Sequence, residues 1–382
     1  MKILHVIPSV DPKSGGPIAG VNQLSEVHCA MGISVEICSL DAPNEIWVIN
    51  SKTKVHALGP VPSTYGYSIH LLPWLKKFAS DYDAVIVSGM WQYVVLAVWR
   101  ALAGKQTPYF VFTHGMLSPW FKKTYPLKHL KKWLYWPWAE YRVLRDAKAV
   151  LFTCEEERIL ARQSFWLYRC NEQVVGFGTV MPSGNSVLQK EILFSAHPEL
   201  RHKRIALYLS RIHEVKGCDL LIEAFAKVAK QDESLHLVMA GPDPNGWVPK
   251  LQAQAEKLGI SHRITWTGML QDEVKWGAFY AAEVFVLPSH QENFGVVVAE
   301  ALACGKPVLI SNKVNIWREI EADGAGLVAD DTQAGTDQLF NRWLRMSAEE
   351  FSVMQVKAIP CFKKRFHVQR AAERLLEVIG EK

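Results

Sequence analysis

The chain has 382 residues, more than one hydrophobic core usually supports, so two domains of roughly 180 residues each are expected. Apolar residues make up 49% and charged residues 21%, which excludes a disordered chain, and a formal charge of +5 is too small at this length to indicate nucleic-acid binding. Seven cysteines, an odd number without a C-x-x-C pair, suggest neither a disulfide framework nor a zinc site.

The opening run from Met1 to Ile7 passes at once into Pro8 and a glycine-rich loop, where a targeting segment would continue apolar. No stretch approaches the ~20 apolar residues that span a bilayer, and a cytoplasmic location is expected. Short β-branched runs at 3–7, 34–39, 84–88, 109–113 and 149–153, then 205–210, 236–240, 284–287 and 307–310, alternate with amphipathic stretches. Strands separated by helices imply parallel sheets, whose ligands bind beyond the carboxyl ends of the strands.

In chain order, the first feature is the loop holding Gly15 and Gly16, which follows the first strand and opens a helix. It reads equally well as a tight turn or as a set of unobstructed amides for an anion. Asp81 and Asp83 have the spacing of a D-x-D metal site but precede the 84–88 run, which puts them at the amino edge, away from ligands. His114 follows the 109–113 run; a lone histidine there is more often structural. The stretch 120–148 carries eight basic and two acidic residues interleaved with tryptophans. It reads either as an interfacial helix on anionic lipid, at the inner membrane face, or as a buried aromatic helix with a solvated basic face.

Glycines at 176, 178 and 184 with Pro182 mark a hinge, and the boundary is placed at 183. The expected domains are 1–183 and 184–360, followed by a terminal helix over 361–382 that packs on the first domain.

Two cations, Arg211 and Lys216, follow the 205–210 run; an isolated R-x4-K is more often a pair of solvated loop charges, but together they could neutralise a diphosphate without a metal. The segment from His290 to Pro307 reads as loop, helix, glycine stop and strand. Glu300 lies in that helix among Val, Ala and Leu, where an unpaired carboxylate would cost several kcal/mol, so it needs a partner: a structural ion pair or a ligand. Eight helical steps separate Glu292 from Glu300 by up to about 12 Å, beyond the roughly 5–9.5 Å of a glycosidase pair. They suit two ends of one long ligand, with the amides of Asn293, Phe294 and Gly295 between them as an anion site.

These segments resemble the S/G-R-x4-K-G and E-x7-E signatures of the retaining glycosyltransferases of the large type 4, or group 1, family. The resemblance covers nearly the whole chain. It implies the GT-B fold, an α/β architecture of two Rossmann-like doubly wound domains facing across a cleft, with acceptor binding assigned to the first and nucleotide-sugar binding to the second. By this resemblance Glu292 holds the donor sugar, Glu300 the ribose, and Arg211 with Lys216 the pyrophosphate. Gly268 and Met269 then lie beside the nucleobase, Gly15 and Gly16 reach the donor phosphates, and His114 meets the donor sugar. The activity implied is metal-independent, retaining hexosyl transfer from a UDP- or GDP-sugar to a saccharide or lipid-linked saccharide, in polysaccharide or glycoconjugate synthesis. No cofactor is implied beyond the donor, and no nucleic acid.

The chain departs from the commonest pattern at Asn293, at Ser183 and at Val314-Asn315-Ile316, where a glycine pair is usual. Competing expectations are transfer to a soluble sugar phosphate, as in sucrose-phosphate synthases, a sugar-nucleotide epimerase of the same architecture, and a non-catalytic scaffold.

Overall fold

The structure, a computed structural model, describes residues 1–381, the side chain of Lys123 excepted. The chain forms two compact units: Met1–Gly178 together with the terminal segment from Val368, and Thr179–His367. The division falls five residues before the expected boundary at 183, within the glycine-rich hinge.

The first unit contains β1 (Lys2–Val6), β2 (Ser34–Ser39), β3 (Lys54–Ala57), β4 (Ala84–Ser88), β5 (Tyr109–Phe112), β6 (Ala149–Phe152) and β7 (Glu172–Val174). They form one parallel sheet in the order β3-β2-β1-β4-β5-β6-β7. The second unit contains β8 (Arg204–Leu209), β9 (Leu235–Ala240), β10 (Ile264–Gly268), β11 (Val284–Leu287), β12 (Val308–Ser311) and β13 (Gly326–Ala329). Its parallel order is β10-β9-β8-β11-β12-β13. Helices cover both faces, so central strands such as β4, β9 and β11 are buried at every residue and read in the sequence as unbroken apolar runs. Both units are doubly wound and Rossmann-like, as in the GT-B type.

Each sheet reverses its strand order once, between β1 and β4 in the first unit and between β8 and β11 in the second. At such a point the loops leaving two neighbouring strands diverge to opposite faces and open a crevice.

Four strands lay outside the nine apolar runs: β3, β7, β10 and β13. All four are sheet edges. Lys54–Ala57 and Glu172–Val174 have no fully buried residue, so they lack the apolar signature that marks a central strand.

The terminal region also differs from expectation. The helix Ala348–Cys361 continues into a π-helical turn, Phe362–Phe366, that stays with the second unit, because Phe362 and Phe366 are buried there and Phe366 meets Phe294 edge-on at 5.7 Å. Only the helix Val368–Gly380 joins the first unit. It buries Val368, Ala371, Ala372, Leu375 and Val378, the stripe of a surface helix, and its Ala372 carbonyl contacts His28 Nε2 at 3.1 Å.

Three of the first unit's histidines, His5, His28 and His114, lie near enough for the last two to act on the first. His5 on β1 is 1% exposed, and neither of its ring nitrogens has a partner among the described residues. Burial, with His28 and His114 adding to it, pushes its pKa down to about 3; burial alone pushes His114 down to about 4. These folded-state values lie below the ordinary 6.5, so both rings are neutral in folded and unfolded chains above that pH. Below it the unfolded chain takes up protons that the folded chain refuses, and stability falls until the folded values are reached. Lowering the pH from 7.5 to 5 should therefore cost about 2 kcal/mol for each of the two rings. Urea denaturation at the two pH values checks this, with His5→Leu expected to lose correspondingly less than the wild type.

Candidate active site

The candidate site of the second unit is assembled from the ends of β8 and β11, on either side of its strand reversal. After β8, the Tyr208 hydroxyl donates to the Arg211 carbonyl at 2.8 Å, and the Ile212 amide donates to the Pro242 carbonyl at 2.9 Å. The chain then makes one short turn, Glu214–Lys216, capped by His213, whose Nδ1 accepts from the Val215 amide. Gly217 ends that turn at φ 67°, and a Cβ there would lie 2.2 Å from the Pro288 carbonyl oxygen. Only glycine lets the β8 loop pass this close to the end of β11.

The two loops are stitched together at that approach. The His290 amide and the Ser289 hydroxyl both donate to the Val215 carbonyl, at 2.8 and 3.0 Å. Lys216, only 6% exposed, is delivered to Glu292: Nζ to Oε2 is 2.5 Å, and Nζ to the Gln291 carbonyl is 3.3 Å. A lysine has three donors, so two contacts leave one for a ligand. Arg211 is exposed, and its guanidinium has no partner among the described residues.

Glu292 is held from its other side. Its amide donates to Lys313, and its carbonyl accepts from the Asn315 amide at 3.0 Å, a one-residue parallel bridge to Val314. The Asn315 side chain donates to Asn293 Oδ1 at 3.3 Å. The segment Val314-Asn315-Ile316, a departure from the family pattern, is thus a buried clamp on the Glu292 loop. Gly295 follows at φ 74° and begins the helix Val296–Ala303, whose first amides have no partner within the helix.

Glu300 on that helix has the partner its surroundings require. Lys275 donates to Oε1 at 2.6 Å, while Oε2 is buried and unpaired among the described residues. Burial raises the Glu300 pKa, against the opposing pull of Lys275. Lys275 was not anticipated. The sequence shows that Glu300 needs a cation but not which one, because the two residues lie 25 positions apart on separate helices. Lys275 also lines a cavity of about 590 Å³ with Arg211, Gly241, Met269, Gln271 and Asp272. Gly268 closes β10 beside it, and Met269 is 62% exposed at its rim. The second unit thus brings together Arg211, Lys216, Glu292, Asn293, Gly295, Glu300 and Met269. Among the described residues no cluster of three or more His, Cys, Asp or Glu is placed to hold a metal.

The first unit carries Gly15, Gly16 and His114. Gly15, at φ 91°, precedes the helix Gly16–Ala30, and a Cβ at either glycine would meet no atom within 4 Å. The flanking Ser14 and Pro17 line a cavity of about 200 Å³ with Ile7, Ser88, Gly89 and Met116, at the strand reversal of this sheet. His114 stacks on Phe112 at 4.7 Å, and its Nε2 is buried without a partner among the described residues. Its backbone is left-handed, φ 47°, held by buried Glu157, which accepts from the Thr113 hydroxyl and the Gly115 amide on one oxygen and from Thr153 on the other. Glu157 was likewise unforeseen; its place in a polar first turn resembles an ordinary helix start. Asp83 accepts from the Lys2 amide at 2.6 Å, at the amino edge of the sheet.

Comparison with known proteins settles the family. The Glycosyl transferases group 1 family matches residues 189–350, and the Glycosyl transferase 4-like domain matches residues 15–175. The chain belongs to the group 1 glycosyltransferases. Within that family it is 30% identical over 133 residues to mannosylfructose-phosphate synthase of Agrobacterium fabrum, covering 33% of this chain and 29% of that protein. The chain spans less than half the length of the curated relatives it matches. Among solved structures it resembles Anabaena HepE in complex with UDP, with TM-score 0.78, 18% identity and 99% of each chain covered. It also resembles sucrose-phosphate synthase from Thermosynechococcus elongatus, with TM-score 0.76, 20% identity, and 99% and 98% covered.

Removing the cation beside Glu300 tests the buried pair. Lys275→Met should lower stability by about 3 kcal/mol at neutral pH, read from urea denaturation, and adding Glu300→Gln should recover part of the loss.

Proposed function

We propose that the chain transfers a hexosyl group from a UDP- or GDP-sugar to a saccharide acceptor, with retention of configuration and without a metal. The grouping of Arg211, Lys216 and Glu292 around the β8/β11 reversal carries this reading. In glycosyl transfer from a nucleotide sugar the bond from the anomeric carbon to the β-phosphate oxygen breaks, and negative charge grows on that oxygen. Arg211, with no protein partner among the described residues, and Lys216, with a donor to spare, are cations fit to receive it. The helix start at Gly295–Val296 adds oriented amides beside them.

The charge left on the sugar is oxocarbenium-like and positive. Glu292, whose Oε2 is held by Lys216, keeps Oε1 for sugar hydroxyls and presents a carboxylate to that charge. Glu300 answers the ribose: its unpaired Oε2 lacks a donor that a hydroxyl would supply. The cavity rimmed by Met269 suits the flat apolar faces of a base. Similar solved structures of Anabaena HepE are complexes with UDP and with UDP-glucose, which supports a uridine donor. In the first unit the cavity beside Gly15 and Gly16 is the proposed acceptor side, and the neutral, partly buried His114 is a proposed hydrogen-bond partner for the donor sugar. A phosphorylated soluble sugar is the second acceptor reading, favoured by the names of mannosylfructose-phosphate synthase and sucrose-phosphate synthase.

Thermal-shift and hydrolysis measurements with UDP-, GDP- and ADP-sugars in EDTA test the proposal. One donor is expected to raise the melting temperature and to be hydrolysed slowly with retention. Arg211→Ala should lower turnover by roughly 10²–10³, the loss typical of a removed charge stabiliser, and Glu292→Ala should abolish sugar discrimination while nucleotide binding survives. Lack of any stabilisation by a nucleotide sugar, or strict dependence on a divalent cation, sinks the reading. Sugar phosphates offered as co-substrates separate the two acceptors.

A further inference from the structure

The stretch 120–148 divides cleanly into an inside and an outside. Trp136 is fully buried; it stacks on Phe165 at 4.6 Å and donates through Nε1 to the Trp166 carbonyl at 2.8 Å. The helix Pro126–Tyr135 just before it has no buried residue at all. Leu127, Leu130 and Leu134 are 79%, 54% and 61% exposed, at spacings of three and four residues that set them on one face. Trp138 is 71% exposed just beyond, and Trp133, 43% exposed, meets Trp166 at 5.9 Å and extends the patch to a second segment. A core-seeking helix would turn such a stripe inward; this one turns it to solvent.

Cations surround the stripe. Lys122, Lys128 and Lys131 are exposed, while Lys132 tucks back over the Trp91 ring at 4.7 Å. Of the two carboxylates in 120–148, Glu140 is 1% exposed and its Oε1 accepts from the Trp91 amide at 2.6 Å, while Asp146 lies at the surface but is engaged by Arg145 Nε at 2.6 Å and Trp99 Nε1 at 2.9 Å. The surface acid of this stretch, Asp146, is thus already paired with Arg145 and leaves the lysines of the helix without an acidic partner from 120–148.

We propose that the Leu127-Leu130-Leu134 face, with Trp138, docks on the surface of an anionic lipid bilayer, the leucines and tryptophan entering the acyl boundary and the lysines meeting the headgroups. Charge selects this occupant. A second copy of the chain seated on the same patch would bring two sets of lysines together, and a neutral surface would leave them without counter-charge. Leucines and an exposed tryptophan beside lysines match the two layers of an interface, apolar below and anionic above. The inference is independent of the glycosyl-transfer reading, although it would bring that site to a lipid-borne acceptor.

Co-sedimentation of the full chain with vesicles tests it. Vesicles of phosphatidylcholine with one-third phosphatidylglycerol should bind at least about tenfold more protein than phosphatidylcholine alone, and 0.5 M salt should reverse most of that gain. Leu127→Ser/Leu134→Ser and Lys128→Glu/Lys131→Glu should each reduce binding about tenfold, with melting temperatures and donor-induced thermal shifts unchanged because these side chains are exposed. Equal binding to both vesicle types, or full binding by either double variant, overturns the proposal. So does a dimer in light scattering that the leucine variant converts to a monomer, since the face would then belong to a second copy.

Discussion

Everything at the second unit's site hangs on the approach of two loops where β8 and β11 lie side by side. Parallel strands send their following helices to opposite faces at a reversal, so the loops must part. Here they part only after being tied: Gly217 passes under the Pro288 carbonyl, and Ser289 and His290 both grip Val215. The tie places Lys216 against Glu292 before the chains diverge. Without a glycine at 217 the contact could not form, because a Cβ would occupy the space of a backbone carbonyl that cannot move without breaking β11 from its loop.

What the sequence disclosed follows from which signals are local. Central strands are unbroken apolar runs and announce themselves, whereas β3, β7, β10 and β13 escape because an edge strand faces solvent and carries residues such as Lys54 and Glu172. Arg211, Lys216, Glu292 and Glu300 were legible through spacing and through resemblance. Lys275 and Glu157 were not, since each acts on a partner distant in sequence: Lys275 on Glu300 from another helix, and Glu157 on the 113–115 turn. Burial of Glu300 demanded a partner, and the demand was correct. Which residue met it depended on how two helices pack, which no window of the sequence contains. The terminal helix shows the same limit: a helical pattern runs through Cys361, but the aromatic pair Phe362 and Phe366 decides that the change of unit waits until Val368.

The departure at Val314-Asn315-Ile316 has a structural meaning of its own. A glycine pair would leave the Glu292 loop facing open backbone. Here Val314 and Ile316 are fully buried, and Asn315 reaches the Asn293 side chain. A second departure, Asn293, is thus partnered with the first. Rigid support of this kind suits a carboxylate that must be oriented before a ligand arrives, since freezing it at the time of binding would cost conformational entropy.

The charges at the two glutamates explain why these positions are spaced as they are. Each carboxylate is matched by one lysine, Lys216 for the half-buried Glu292 and Lys275 for the buried Glu300, so both charges are neutralised locally. Arg211 is the cation of the set without a partner among the described residues. On the proposed reading, a diphosphate entering beside it would add negative charge where the protein holds a positive excess, while neutral hydroxyls at the two ends of a nucleotide sugar would add hydrogen bonds without disturbing either pair. An anion placed directly against Glu292 or Glu300 would instead meet a carboxylate, and at Glu300 a buried one. The arrangement therefore favours negative charge beside Arg211 and uncharged donors at the two glutamates, which supports the proposed nucleotide-sugar donor.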